Sequence, residues 1–149
     1  VTLVNLAFLS LSSYPRMPGE TNLTQLLRTM KPELQPGTYV FCTVPSLAGL
    51  DLTEVIGTFR EQEGLTVILP QAAADRLHLP YTFVAAWITL TVHSALEAVG
   101  LTAAFAQALA RGGISCNVVA AYYHDHIFVA ASDAANALHV LEELAESGN

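Results

Sequence analysis

The sequence predicts an α+β fold built from βαββαβ units, and three observations between Trp87 and Val129 carry that prediction. Ile88, Leu90 and Val92 alternate with Thr89, Thr91 and His93, the period of two expected of a strand with one buried face. Leu101, Ala104, Phe105, Ala108 and Leu109 then recur at three- and four-residue spacing, one apolar face of a helix. Gly112 and Gly113 stop that helix, and a run through Ile114, Cys116, Val118 and Ala120 reaches the polar cluster His124-Asp125-His126, which turns it back at Ile127 to Val129. Strand, helix and hairpin in that order open a βαββαβ unit.

The other elements follow from similar patterns. Thr21 or Asn22 can cap a helix striped by Leu23, Leu26, Leu27 and Met30, which Pro32 ends. Pro36-Gly37 marks a turn, and Thr38 to Val44 is β-branched and aromatic enough for a strand. Asp51 and Glu54 have capping-box spacing, so a second helix is expected through Val55, Ile56 and Phe59, with Gly64 as its stop. Leu65 to Leu69 reads as a short buried strand closed by Pro70, and Gln71 to Leu77 as a short helix. The last helix runs from Asp133 to Glu146, capped by Asp133 and striped by Ala137, Leu138, Leu141 and Leu144. No residue-level repeat is visible. The second half lacks a strand after its last helix, so the first half would have to supply one, and intertwined units are expected.

Composition narrows the function. Among 149 residues, 52% are apolar and 13% charged, which excludes disorder and leaves apolar surface for a partner to hide, most simply a second copy in a homodimer. The net charge is -7, with Lys31 the one lysine, so no basic patch for nucleic acid can be assembled. No apolar run approaches the ~18 residues of a membrane span. Residues 1–17 are apolar but lack the basic start of a signal peptide, and they are expected to form an extra strand or tail. The chain opens on valine, the expectation for a processed or partial chain. Cys42 and Cys116 lie in apolar strand-like runs, the setting of buried reduced thiols in a cytoplasmic protein. No nucleophile elbow, phosphate loop or metalloprotease motif is present, and no catalytic residue or cofactor is expected.

The residues TLTVHSALEAVGLTAAFAQALARGGISCNVVAAYYHDHIFV, with GTYVFCTVP and TFREQEGLTVILP upstream, resemble the ACT domain, a small ligand-binding regulatory module. More closely, residues 19–147 resemble short bacterial-type proteins that carry two ACT-like units in tandem, and more distantly the amino-acid-sensing proteins of nutrient signalling. The resemblance implies ferredoxin-like units with helices on one face of antiparallel sheets, the first over residues 18–80 and the second over 81–147. It implies a non-catalytic sensor that binds a small-molecule effector, an amino acid, at an interface between units. The alternative is an oligomerisation or protein-interaction module that has kept the fold and lost its effector.

Candidate ligand residues lie at the strand-to-helix connection and the hairpin. Ser94 and Glu97 have capping-box spacing, and a helix beginning there would offer its N-terminal amides to a carboxylate; capping and binding remain equal readings. Gly100, between Val99 and Leu101, permits close approach of a ligand, and the family's Asp-x-x-Gly-style turn stands here as Glu97-Ala98-Val99-Gly100. Asn117 either pairs with a backbone group or faces the effector. Tyr123, His124 and Asp125 complete the set. His124-Asp125-His126 reads as a hairpin with Asp125 bonded to the turn backbone, as a ligand contact, or as part of a metal site that lacks a third ligand at standard spacing.

Overall fold

Side-chain alternation along the strands divides this chain into two faces of one sheet. The computed structural model describes residues 21–92 and 98–148; the expected N-terminal extension, 1–17, lies outside them. The elements are α1 (Leu23–Thr29), β1 (Pro32–Leu34), β2 (Tyr39–Val44), β3 (Gly57–Arg60), β4 (Leu65–Pro70), α2 (Gln71–Arg76), β5 (Val84–Leu90), α3 (Leu101–Arg111), β6 (Cys116–Ala120), β7 (Asp125–Ala130) and α4 (Ala134–Ser147). The strands form a single seven-stranded sheet in the order β3-β4-β2-β5-β7-β6, with β1 beside β5 and every pairing antiparallel.

That order is a palindrome. β2, β3 and β4 repeat in β5, β6 and β7, with β2 and β5 paired at the centre. The repeat is invisible in sequence identity but plain in burial, since Leu65–Pro70 and Asp125–Ala130 share the pattern buried, half-buried, three buried, half-buried. Each unit borrows its fourth strand from the other. Pro32–Leu34 pairs with Leu90 to Ile88 and completes the second unit, while Val84 and Ala85 pair with Val40 and Tyr39 and complete the first. β1 and β2 thus lie along successive lengths of one edge of β5, joined through the Gly37 bend and the bond from Gln35 N–H to the Trp87 carbonyl at 2.8 Å. The expected intertwining is present.

Helices cover one face. Ala86, Ile88, Leu90, Ile127 and Val129 pack under Leu26, Leu27, Phe105, Leu109 and Leu141 of α1, α3 and α4. Val40, Cys42, Val44, Val67 and Leu69 pack with Ala73 and Ala74 of α2. On the other face Tyr39, Ile68, Ala85 and Phe128 are buried by rings, with Tyr39 edge-on to Trp87 at 5.2 Å and Phe41 edge-on to Phe128 at 5.3 Å.

Three expectations are corrected. No helix follows Asp51: its carboxylate accepts from the Thr53 amide at 2.9 Å and the Thr53 hydroxyl at 2.7 Å, forming a turn, and Ile56 N–H then donates to the Ile68 carbonyl. Ladder pairing captures the β-branched residues that follow, so Phe59 lies in β3 opposite Thr66. α3 starts at Leu101, because Gly100 takes the left-handed conformation at φ 102, which a helix interior does not admit. Asp133 precedes α4 without capping it, being part of a 3-10 turn, Ala131–Asp133. Asn22 does cap α1, accepting from Gln25 N–H at 3.1 Å.

Candidate functional site

The ladder between β5 and β7 ends at the pair Leu90 and Asp125. Asp125 shares the parity of Ile127 and Val129, so its side chain turns to the helix-covered face. Only 6% of Asp125 is exposed. Burial pushes its pKa above the usual carboxylate range, and His124 beside it pulls weakly the other way. The expected bond from Asp125 to the turn backbone is not made. The turn closes instead through Ala121 N–H and the His124 carbonyl at 3.0 Å, and Asp125 is the first residue of β7.

The same end of the sheet carries the start of α3. β5 and β6 both run antiparallel to β7, so the crossover helix returns antiparallel to them and begins where β5 ends. α3 has glycine at its N-cap and no acidic residue in its first turn, and its positive dipole end favours an anion. An anchored carboxylate and such a helix start are complementary to the two ends of a zwitterion.

The predicted residues distribute around this corner unevenly. Ser94 and Glu97 lie outside the described residues. Gly100 sits at the helix start, and a Cβ there would meet Leu23 of α1 at 3.1 Å, so Gly100 serves the packing of α1 as well as any ligand. Leu101 is 3% exposed and packs into the core, so only its backbone can face a ligand, whereas Val99 is 84% exposed at the rim. The His124 Nδ1–H donates to the Val92 carbonyl at 3.4 Å and ties the hairpin to the outgoing connection. Tyr123 is exposed and stands edge-on to Tyr122, ring centres 4.8 Å apart. Asn117 pairs with Phe128, placing it on the face opposite Asp125, so the two do not converge within one chain.

A polar chain that the sequence reading did not assemble occupies that opposite face. Trp87 Nε1–H donates to His126 Nδ1 at 3.1 Å, the Thr89 hydroxyl lies 3.3 Å from the same nitrogen, and Gln35 Nε2 donates to Thr89 at 3.2 Å. The indole can only donate, so Nδ1 is unprotonated and the imidazole neutral. Burial, with His124 nearby, holds the His126 pKa below its ordinary value. The alternation of Trp87, Thr89 and His126 was the available signal. Burial also pushes the Cys42 and Cys116 thiols up, away from nucleophilic reactivity. Among the described residues no group of three or more His, Cys, Asp and Glu side chains could hold a metal ion, and no helix is long and apolar enough to cross a membrane.

Two ferredoxin-like units sharing one sheet, the first without a helix between its first two strands, with an acidic corner at the strand-to-helix crossover of the second, define a tandem module. Sequence profiles of the ACT domain match residues 18–86 and again residues 83–143. No curated protein matches the chain. Among solved structures, a Vibrio cholerae protein of unknown function, VC0802, described as a possible transport protein, is 53% identical over 83% of this chain and 95% of its own, with a TM-score of 0.74. The Agrobacterium tumefaciens protein Atu0741 is 17% identical over 78% of this chain and 89% of its own, at a TM-score of 0.57. The regulatory subunit of aspartate kinase from Thermus thermophilus is 11% identical over 78% and 98%, at 0.54, a likeness of fold. The chain belongs to the ACT-domain family and carries two such domains in tandem. ACT domains are generally regulatory modules rather than catalysts.

Proposed function

We propose that the protein is a non-catalytic regulatory ACT protein whose effector is an amino acid, bound at the corner formed by β5, β7 and the start of α3. The observation that carries this reading is the Asp125 carboxylate, 6% exposed at the end of the β5–β7 ladder. Burial disfavours the charged form of this carboxyl group, and an α-ammonium group is a cation that would favour it again. The effector carboxylate would take the N-terminal amides of α3 beyond Gly100, with Ser94 and Glu97 in the connection, Val99 and Leu101 beside it, and Tyr123 and His124 at the rim. Asn117 reaches an effector only across an interface with a second copy, which fits a homodimer. Domain limits of 18–80 and 81–147, acting in the cytoplasm, complete the proposal. Regulation would follow from differential binding to two arrangements of the units.

A thermal-shift screen of the common amino acids on the wild type and Asp125→Asn tests this. An amino acid at ~100 times its dissociation constant stabilises by ~2.7 kcal/mol, and the variant should lose that shift. No selective shift, or a shift unchanged in Asp125→Asn, would leave the interaction-module reading in its place.

A further inference from the structure

The two halves of the palindrome differ most between their first and second strands. In the second unit residues 91–115 contain α3, which packs against β6. In the first unit the equivalent connection is only 45–56, and turns fill it: Leu50 N–H donates to the Leu47 carbonyl at 3.1 Å and Glu54 N–H to Asp51 at 3.0 Å. The helix-facing side of β3 is therefore bare. Thr58 and Arg60, which pair with Val67 and Leu65, are exposed where their counterparts Val118 and Ala120 belong to the helix-covered side of β6.

A cleft of 510 Å³ occupies that vacated position, lined by Pro45, Ser46, Leu47, Thr58, Arg60 and Leu65. Its volume falls within the range of small-molecule sites, although the cleft is a groove open to solvent along one side. Its chemistry inverts that of the other unit. Leu65 stands where Asp125 stands, each opposite the last residue of the central strand, Val44 or Leu90, and Arg60 stands where the second unit has Ala120. Among the described residues no carboxylate lies within ion-pair distance of Arg60, although Arg76 pairs with Glu54. Arg28, Lys31 and Arg111 also lack an ion pair among the described residues, so what sets Arg60 apart is its place in the lining of the cleft. Ser46 accepts from Ala48 N–H at 3.3 Å, which leaves its hydroxyl proton for an acceptor in the cleft.

We infer that this cleft is a second ligand site, for a small organic anion. The oxyanion, carboxylate or phosphate, takes the planar fork of Arg60 with hydroxyls from Ser46 and Thr58, and an apolar body lies on Pro45, Leu47 and Leu65. The ammonium-reading corner of the second unit is not involved, so this inference and the amino-acid reading stand or fall separately.

Amide NMR spectra of the full chain titrated with 4-methylpentanoate, phenyl phosphate and inorganic phosphate test it. The expected result is saturable shifts confined to Ser46, Leu47, Thr58, Arg60 and Leu65, with whichever organic probe binds tighter identifying the oxyanion. Inorganic phosphate, lacking the apolar body, should bind more weakly than phenyl phosphate. Arg60→Gln should weaken binding by ~10-fold or more, Arg60→Lys by less, and Arg111→Gln and Asp125→Asn not at all. Shifts absent at these amides with every probe, spread over all the basic residues, or unchanged in Arg60→Gln would overturn the inference.

Discussion

Asp125 is 6% exposed, and burial disfavours the charged form of its carboxyl group, although among the described residues no buried side-chain oxygen lacks a hydrogen-bond partner. Because its folded pKa is raised, the folded state holds the extra proton between the unfolded value of ~3.9 and that raised value. Stability is then lost as pH rises through the folded pKa. Asp125→Asn should therefore melt higher than the wild type at neutral pH, by ~2–4 °C for each kcal/mol recovered, and the gain should vanish below pH ~4. A variant that melts lower at neutral pH would mean that the carboxylate has a structural partner. His126 has the opposite sign. Its folded pKa is lowered, so the unfolded chain binds the extra proton, and stability is lost as pH falls from ~6.5 toward the folded value. Trp87, the one tryptophan, donates to His126, so its fluorescence should titrate with a midpoint below ~6.5. A midpoint at or above that value removes the lowered pKa.

Elements that depend on local patterns were legible in the sequence, and those that depend on a distant partner were not. The stripe of α3, the caps and stops of α1, and the strands at 39–44, 65–70 and 125–130 all follow from spacing and punctuation. β3 was hidden because Asp51 and Glu54 imitate a capping box, and only pairing with β4 shows that Ile56 to Arg60 is extended. β1 was hidden because Pro32 reads as a stop, yet proline is tolerated as the first residue of a strand. Of the site, Gly100 and Asp125 were legible as residues; the alternation of β6 puts Asn117 on the face opposite Cys116 and Val118, but only the pairing of β6 with β7 shows that this is also opposite Asp125. The cleft at Arg60 was beyond reach, since the capping-box spacing of Asp51 and Glu54 predicts a helix through Val55, Ile56 and Phe59. Gly100 joins two elements, and this limits its use as a probe. Its φ of 102 and the 3.1 Å approach of Leu23 mean that Gly100→Ala strains the helix start and pushes α1. The expected cost is ~1–2 kcal/mol from the left-handed backbone alone. An urea denaturation series should show it even without effector; a cost below ~0.5 kcal/mol would mean that the connection relaxes freely.

Across the whole molecule, the borrowed strands make the two ACT domains one folding unit. β5 closes the first domain with Val84 and Ala85 and forms the central strand of the second, and its edge is completed by β1 from the N-terminal side of the first. α1 lies in the first domain in sequence, yet it packs against α3 and α4 of the second. Neither domain can open without exposing the other's central ladder, so unfolding should be a single two-state transition, with calorimetric and van't Hoff enthalpies equal. Leu26→Ala tests the coupling most sharply. Leu26 is fully buried in the helix layer of the second domain, and its truncation should cost ~2–5 kcal/mol. If the sheet is one cooperative body, amide exchange should quicken by the same factor at Val67 in the first domain and at Ile127 in the second, through global unfolding. Protection lost at Ile127 but kept at Val67 would mean that the domains unfold separately. A shared transition fits a regulatory module, because a ligand that orders one end of this sheet then changes the free energy of the other.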